Sequence, residues 1–155
     1  MENKADTHSK TIGYALWFFG FTGSHRFYYG KPITGTIWFC TFGLFLIGWI
    51  IDLFLIPFMD QKADFKFKPG KIDYNIAWIL LTFFGPFGIH RFYMGKWFTG
   101  FIYLLCTTLS IIGGFVFIGF LLAGGFLPFA LVLIGYIYDF WTLNSQISEI
   151  NNSGN

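Results

Sequence analysis

Gly23-Ser-His-Arg-Phe-Tyr-Tyr-Gly-Lys-Pro-Ile-Thr-Gly35 returns 65 residues later as Gly88-Ile-His-Arg-Phe-Tyr-Met-Gly-Lys-Trp-Phe-Thr-Gly100, with nine of thirteen positions identical. The match runs back through Phe18-Phe19-Gly20 and Phe83-Phe84-Gly85 at the same offset. It runs forward to Gly48-Trp-Ile-Ile-Asp52 against Gly135-Tyr-Ile-Tyr-Asp139. Self-similarity of this extent marks one structural unit used twice. The forward offset is 87, so the second copy holds 22 additional residues between motif and acid, about the length of one bilayer crossing.

What surrounds the motifs is apolar. Only 12% of the 155 residues are charged, against the quarter usual in soluble domains. The charges are fenced into short stretches: Glu2 to Lys10, Asp60 to Asp73, and Glu149. Six others remain, Arg26 and Lys31, Arg91 and Lys96, and the isolated acids Asp52 and Asp139. No charge falls between Pro32 and Ile51, or between Trp97 and Tyr138. A bilayer crossing needs about 20 apolar residues, so the first run fits one span and the second two. Thr11 to Ser24 and Tyr74 to Ile89 are shorter apolar runs that their company assigns to the membrane. Lipid-facing backbone must be helical or closed into a barrel, and aromatic residues crowd the ends of the runs as they do at headgroup level.

These features predict an all-α, multipass integral membrane bundle of two tandem helical hairpins, with four to five transmembrane helices. The expected divisions are a polar tail over 1–10, a first module over 11–59, a basic linker over 60–73, a second module over 74–143 and a polar tail over 144–155. The first module returns the chain to its starting side, so both motif loops are expected to face one compartment. Trp17, Phe18 and Phe19 precede no small-residue cleavage site, which argues against a cleaved leader. Cys40 and Cys106 lie inside expected spans and report nothing about redox compartment. A net charge of +2 with no basic stripe excludes a nucleic-acid partner.

An apolar helix, then Gly-x-His-Arg-Phe-Tyr-x-Gly-Lys-x-x-x-Gly, then an apolar helix ending near Ile-x-Asp, resembles the TM2 domain, a family named for its two transmembrane helices. The resemblance covers roughly Thr11 to Phe58 and Ile76 to Leu143. TM2 domains occur beside many unrelated domains and share no single agreed activity, so the resemblance implies architecture rather than function. Two modules in one chain, and the 22-residue excess in the second, depart from the simplest member of the family.

The glycines at 23, 30 and 35, and at 88, 95 and 100, fit sharp turns and close helix approach. Arg26 and Arg91 follow short apolar helices, and are expected to snorkel to lipid phosphate or to cap helix carbonyls. A sharper reading makes His25, Arg26, Phe27, Tyr28 and Lys31, with His90, Arg91, Phe92, Tyr93 and Lys96, a surface for a partner or for headgroups, since Arg and Tyr are common binding anchors. A metal or haem site is not expected: the two cysteines are out of repeat register and no further ligand lies nearby. No cofactor is expected.

Asp52 and Asp139 are conspicuous because an isolated carboxylate in an apolar helix is costly unless partnered, wetted or interfacial. With Ile33 to Phe58 as one straight helix, Asp52 lies about 28 Å from its start, near the face opposite Arg26. With a break at Gly43 and Gly48, Asp52 returns to the motif and pairs with Arg26 or His25. The straight helix is the favoured expectation. In the second copy, the 38 residues between Gly100 and Asp139 leave room for a crossing, a turn near Ala123 to Pro128, and a return.

No convergent set of nucleophile, base and oxyanion donors is present, so an enzyme is not expected. The leading expectation is a non-catalytic membrane interaction or scaffold protein that presents paired His-Arg-Phe-Tyr loops at the membrane surface. Its partners would be the bilayer and either another membrane protein or a further copy of the chain. The alternative is a small transporter or oligomeric ion or proton channel that uses Asp52 and Asp139.

Overall fold

The computed structural model describes residues 6–19, 23–115 and 126–153, and every regular element among them is helical. In chain order these are α1 (Lys10–Phe19), α2 (Ser24–Tyr28), α3 (Pro32–Phe45), α4 (Ile47–Lys66), α5 (Tyr74–Phe84), a 3-10 turn (Gly85–Phe87), α6 (Ile89–Tyr93), α7 (Trp97–Phe115) and α8 (Phe126–Ser153). They form two compact units, one of Met1–Asn75 with Phe140–Asn155, the other of Ile76–Asp139.

In the first unit α1 runs antiparallel to α4. Trp17 and Trp49 stack with ring centroids 4.4 Å apart and planes within 6°. The indole Nε1 of each donates to the backbone carbonyl of the other, at 2.7 and 2.9 Å. One turn along, Pro57 inside α4 has no N–H to give the carbonyl of Leu53. The Tyr14 hydroxyl donates to that carbonyl at 3.4 Å, so the backbone group freed by proline finds a partner from α1.

The straight helix expected over Ile33 to Phe58 is not what forms. Pro32 opens α3 at its first turn, where its missing N–H costs nothing. From Phe42 to Leu46 every φ is positive, in the left-handed region. That turn reverses the chain into α4 and brings Asp52 back to the motif. Gly43 tolerates the conformation, while the four bulky residues beside it pay roughly 1–2 kcal/mol each.

The base of this unit is polar. The backbone N–H groups of Thr7 and His8 donate to Asp64 Oδ1 at 3.0 and 3.2 Å. Asn144 Nδ2 donates to the carbonyls of Phe27 and Tyr28 at 3.1 and 2.7 Å. Asn151 both accepts from the N–H of Ile72 and donates to its carbonyl, at 2.8 and 3.0 Å. The expected linker of 60–73 is therefore largely structured: its first part continues α4, and Phe67 and Ile72 are buried.

The second unit repeats the scheme with longer arms. Gly85 lies against the Tyr136 ring, and the Tyr136 hydroxyl donates at 3.5 Å to the carbonyl of Thr82. Proline at 86 cannot serve that carbonyl. Thr82 and Tyr136 are the repeat equivalents of Trp17 and Trp49, so the same carbonyl receives an aromatic donor in both modules. Both described arms of the second module are longer than those of the first. Helix α7 continues twelve residues past Tyr103, whereas α3 turns left-handed four residues past Trp38, the equivalent of Tyr103. Helix α8 begins nine residues ahead of Gly135, whereas α4 begins one residue ahead of Gly48. Of the turn expected near Ala123 to Pro128, residues 123–125 lie outside the described residues, and 126–128 are already in α8.

Four to five transmembrane helices were the expectation. One described helix, Leu127–Ser153, is long and apolar enough to cross a bilayer by length and composition. The other apolar helices, Pro32–Phe45, Tyr74–Phe87 and Trp97–Ile112, are shorter over the residues whose side chains are described.

Candidate functional site

Each module closes on one carboxylate. In the first, His25 Nε2 lies 2.7 Å from Asp52 Oδ2, Arg26 Nε donates to the same oxygen at 2.7 Å, and Arg26 Nη2 donates to Oδ1. In the second, His90 Nε2 is 2.7 Å from Asp139 Oδ2, while Arg91 Nε and Nη2 donate to Oδ2 and Oδ1 at 2.8 and 2.5 Å. This is the two-pronged geometry in which a guanidinium matches a carboxylate. Both aspartates and both histidines are 0% exposed, and Arg26 and Arg91 are 7% and 8%. Nε2 of each imidazole faces the carboxylate, and among the described residues neither Nδ1 has a hydrogen-bond partner.

Short helices set this geometry. Gly23 (φ 87°) and Gly88 (φ 70°) precede α2 and α6 in the left-handed region, and a Cβ on either would sit within 2.7 Å of Trp38 Cβ or Tyr103 Cβ. His and Arg fall in the first turn of each short helix and point at the returning acid. Gly35 and Gly100 lie flat against the Phe27 and Phe92 rings, and Gly30 and Gly95 end the short helices with positive φ.

Above each arginine lies an aromatic ring that reading the sequence alone missed. Arg26 Cζ is 3.5 Å from the Trp38 ring centroid and Arg91 Cζ is 4.7 Å from that of Tyr103, a contact that favours the cation. Trp38 and Tyr103 share the offset of 65, so extending the alignment past Gly35 would have found them. They differ in one respect: the Tyr103 hydroxyl donates to Asp139 Oδ2 at 2.9 Å, whereas Trp38 Nε1 is buried without a partner among the described residues. Gly48 and Gly135 make room for these rings; a Cβ there would fall 2.7 Å from Trp38 Cζ2 and 2.2 Å from Tyr103 Oη.

This placement corrects two expectations. Arg26 and Arg91 do not snorkel to phosphate or cap helix carbonyls, because their guanidinium groups are enclosed with the acids. His25, Arg26, Phe27 and Tyr28, with His90 and Arg91, are buried, so these side chains do not form a presented surface. Phe92, Tyr93, Lys31 and Lys96 are half-buried. Burial, and next to it the Arg26 charge, hold Lys31 below the ordinary lysine range.

A further polar centre, His8, carries no motif signal. Its ring lies between those of Tyr28, Phe67 and Tyr74, at 4.8, 5.2 and 5.0 Å, with Thr7 Oγ1 3.0 Å from Nδ1. Burial drives its pKa down to about 4, against the opposing charge of Asp64.

A family model described as TM2 domain matches residues 6–54 and 70–141. The chain belongs to the TM2 domain family. Three TM2 domain-containing proteins of Dictyostelium discoideum are similar to it, at 45% identity over 60 residues, 52% over 42 and 47% over 47. These alignments take in 38%, 27% and 30% of this chain, and 39%, 31% and 29% of those proteins. The chain thus spans less than two-fifths of the length of these curated relatives. No solved structure matches. TM2 membership and the apolar helix Leu127–Ser153 identify a helical membrane protein.

Proposed function

We propose that this TM2 protein is a non-catalytic, multipass membrane protein of interaction or scaffold type, in which the repeated motif is an internal clamp and recognition falls to the outer faces of the helices. One observation carries this reading: in both modules the His, Arg and Asp side chains bond to one another inside the fold. Their polar atoms stabilise a hairpin and are not offered outward. Lipid contact then belongs to apolar residues such as Ile33 and Phe98, at 69% and 79% exposure, and headgroup contact to half-buried Lys31 and Lys96. The occupant of the outer face, beyond lipid, is a further membrane protein or a second copy of the chain.

A photo-crosslinking residue at Ile33 or Phe98, in intact cells, tests this. A recurrent protein neighbour captured there, and not from buried Tyr29 or Met94, supports the scaffold reading. Lipid alone would remove it and leave a self-contained bundle. Transport through Asp52 and Asp139 requires an ion to displace a two-pronged guanidinium. Ion flux in vesicles that disappears in Asp52→Asn or Asp139→Asn, with the fold retained, would favour that alternative.

A further inference from the structure

We propose that Thr7 and His8 form a strap whose histidine plugs an aromatic cage, and that the cage takes a quaternary ammonium group when the strap lifts. This site lies inside the first unit and is separate from the outer helix faces assigned to lipid and partner.

Four rings surround the imidazole. Tyr28, Tyr74 and Phe67 have centroids 4.8, 5.0 and 5.2 Å from that of His8, and Tyr29 follows at 6.2 Å. All five side chains are buried. They come from the tail, the motif and the linker, and the repeat does not account for them: Tyr28 recurs as Tyr93, but the counterpart of Tyr29 is Met94.

The rings stand in a negative field. The carboxylates acting on His8, Tyr28 and Tyr29 are those of Asp6, Asp60, Asp64 and Asp73. A cation is already drawn to one ring: Lys66 Nζ lies 5.1 Å from the Phe67 centroid while it donates to the Gly30 carbonyl at 3.2 Å. Ring faces and acids together favour a cation. His8 does not supply one at pH 7, because burial lowers its pKa to about 4. A primary ammonium would bring three N–H donors, and the Tyr28 hydroxyl is already engaged with Ser9 N and Asn75 Oδ1. A quaternary ammonium has no N–H left to satisfy on burial.

The strap is held by side chains and can leave without opening a helix. Thr7 and His8 precede α1. Their N–H groups donate to Asp64 Oδ1 at 3.0 and 3.2 Å, and Asn75 Nδ2 donates to the Thr7 carbonyl at 3.3 Å. Segments with few backbone bonds of their own open at the low end of a protein's stability range.

The test is equilibrium dialysis of radiolabelled choline against the full chain in dodecyl maltoside micelles. His8→Ala, which removes the plug, should bind choline at least about tenfold more tightly than the parent, as a desolvated cation–ring contact allows. In that background Tyr74→Phe keeps its ring and should keep the binding, whereas Phe67→Leu keeps apolar bulk and should lose most of it. Tetramethylammonium should displace choline and ammonium should not. In the unaltered chain, tetramethylammonium should speed proteolysis of the tail, since ligand and plug compete, and ammonium should leave it unchanged. Displacement by dioctanoylphosphatidylcholine at lower concentration than by free choline identifies a lipid headgroup as the source of the group; the reverse order identifies a free quaternary amine. Binding by His8→Ala no tighter than by the parent, equal displacement by ammonium, or full binding by Phe67→Leu would overturn the proposal.

Discussion

Removing the charge from either aspartate is expected to do unequal damage in the two modules. Asp52 accepts from His25 and twice from Arg26; Asp139 accepts the same three bonds and a fourth from Tyr103. In Asp52→Asn the shape is kept, but a guanidinium that is 7% exposed loses its counter-charge. Breaking one side of a buried pair costs about 3–5 kcal/mol, and a hydrogen bond to a charged group about 1.5–3. The bonds share one acceptor and do not add, so Asp52→Asn should cost about 3 kcal/mol and Asp139→Asn about 1 more. Tyr103→Phe alone should itself cost about that difference, whereas Trp38→Phe should lose only packing and part of the ring's attraction for Arg26. Unfolding of the purified protein in mixed micelles, titrated with denaturing detergent, measures each loss. Both aspartates changing stability by less than about 1 kcal/mol would refute the clamp.

Gly135→Ala sets a methyl group 2.2 Å from Tyr103 Oη and should cost about 1–3 kcal/mol through displacement of that ring. Tyr103→Phe in the same chain, by removing the clashing oxygen, should return part of the loss, read in the same unfolding assay. His8, with its pKa depressed to about 4 from an ordinary 6.5, resists a proton that the unfolded chain accepts. Its contribution is complete above pH 6.5 and fades as pH falls toward 4, by about 3 kcal/mol in all. Limited proteolysis of the tail between pH 7 and pH 4 should show release on acidification, and His8→Leu should remove the histidine's share of that pH dependence.

The repeat, the motif and the matched acids were legible because chemistry-bearing residues stand out where nearly everything else is apolar. The pairing of His25, Arg26 and Asp52 was visible as one of two alternatives, but the wrong one was preferred. The reason is physical: Phe42, Leu44, Phe45 and Leu46 carry no turn chemistry, and a helix apolar on every side gives no periodicity that would reveal a reversal. Gly43 alone is a weak signal in a segment where glycine also serves helix packing. The longer arms of the second module show only when Trp38 and Tyr103 are set against Gly48 and Gly135. Asn144, Asn151 and His8 gave no warning, because their partners are backbone groups and rings brought close by the fold rather than by spacing.

The most direct measurement is the stability of an all-apolar first clamp. In His25→Leu/Arg26→Met/Asp52→Leu the polar atoms of the triad leave together, so no buried charge is stranded. If the motif is an internal fastening, this triple variant should unfold within about 1 kcal/mol of the parent, while Arg26→Met and Asp52→Leu alone each lose about 3 kcal/mol or more. A triple variant as damaged as the singles, or singles that unfold like the parent, would contradict it.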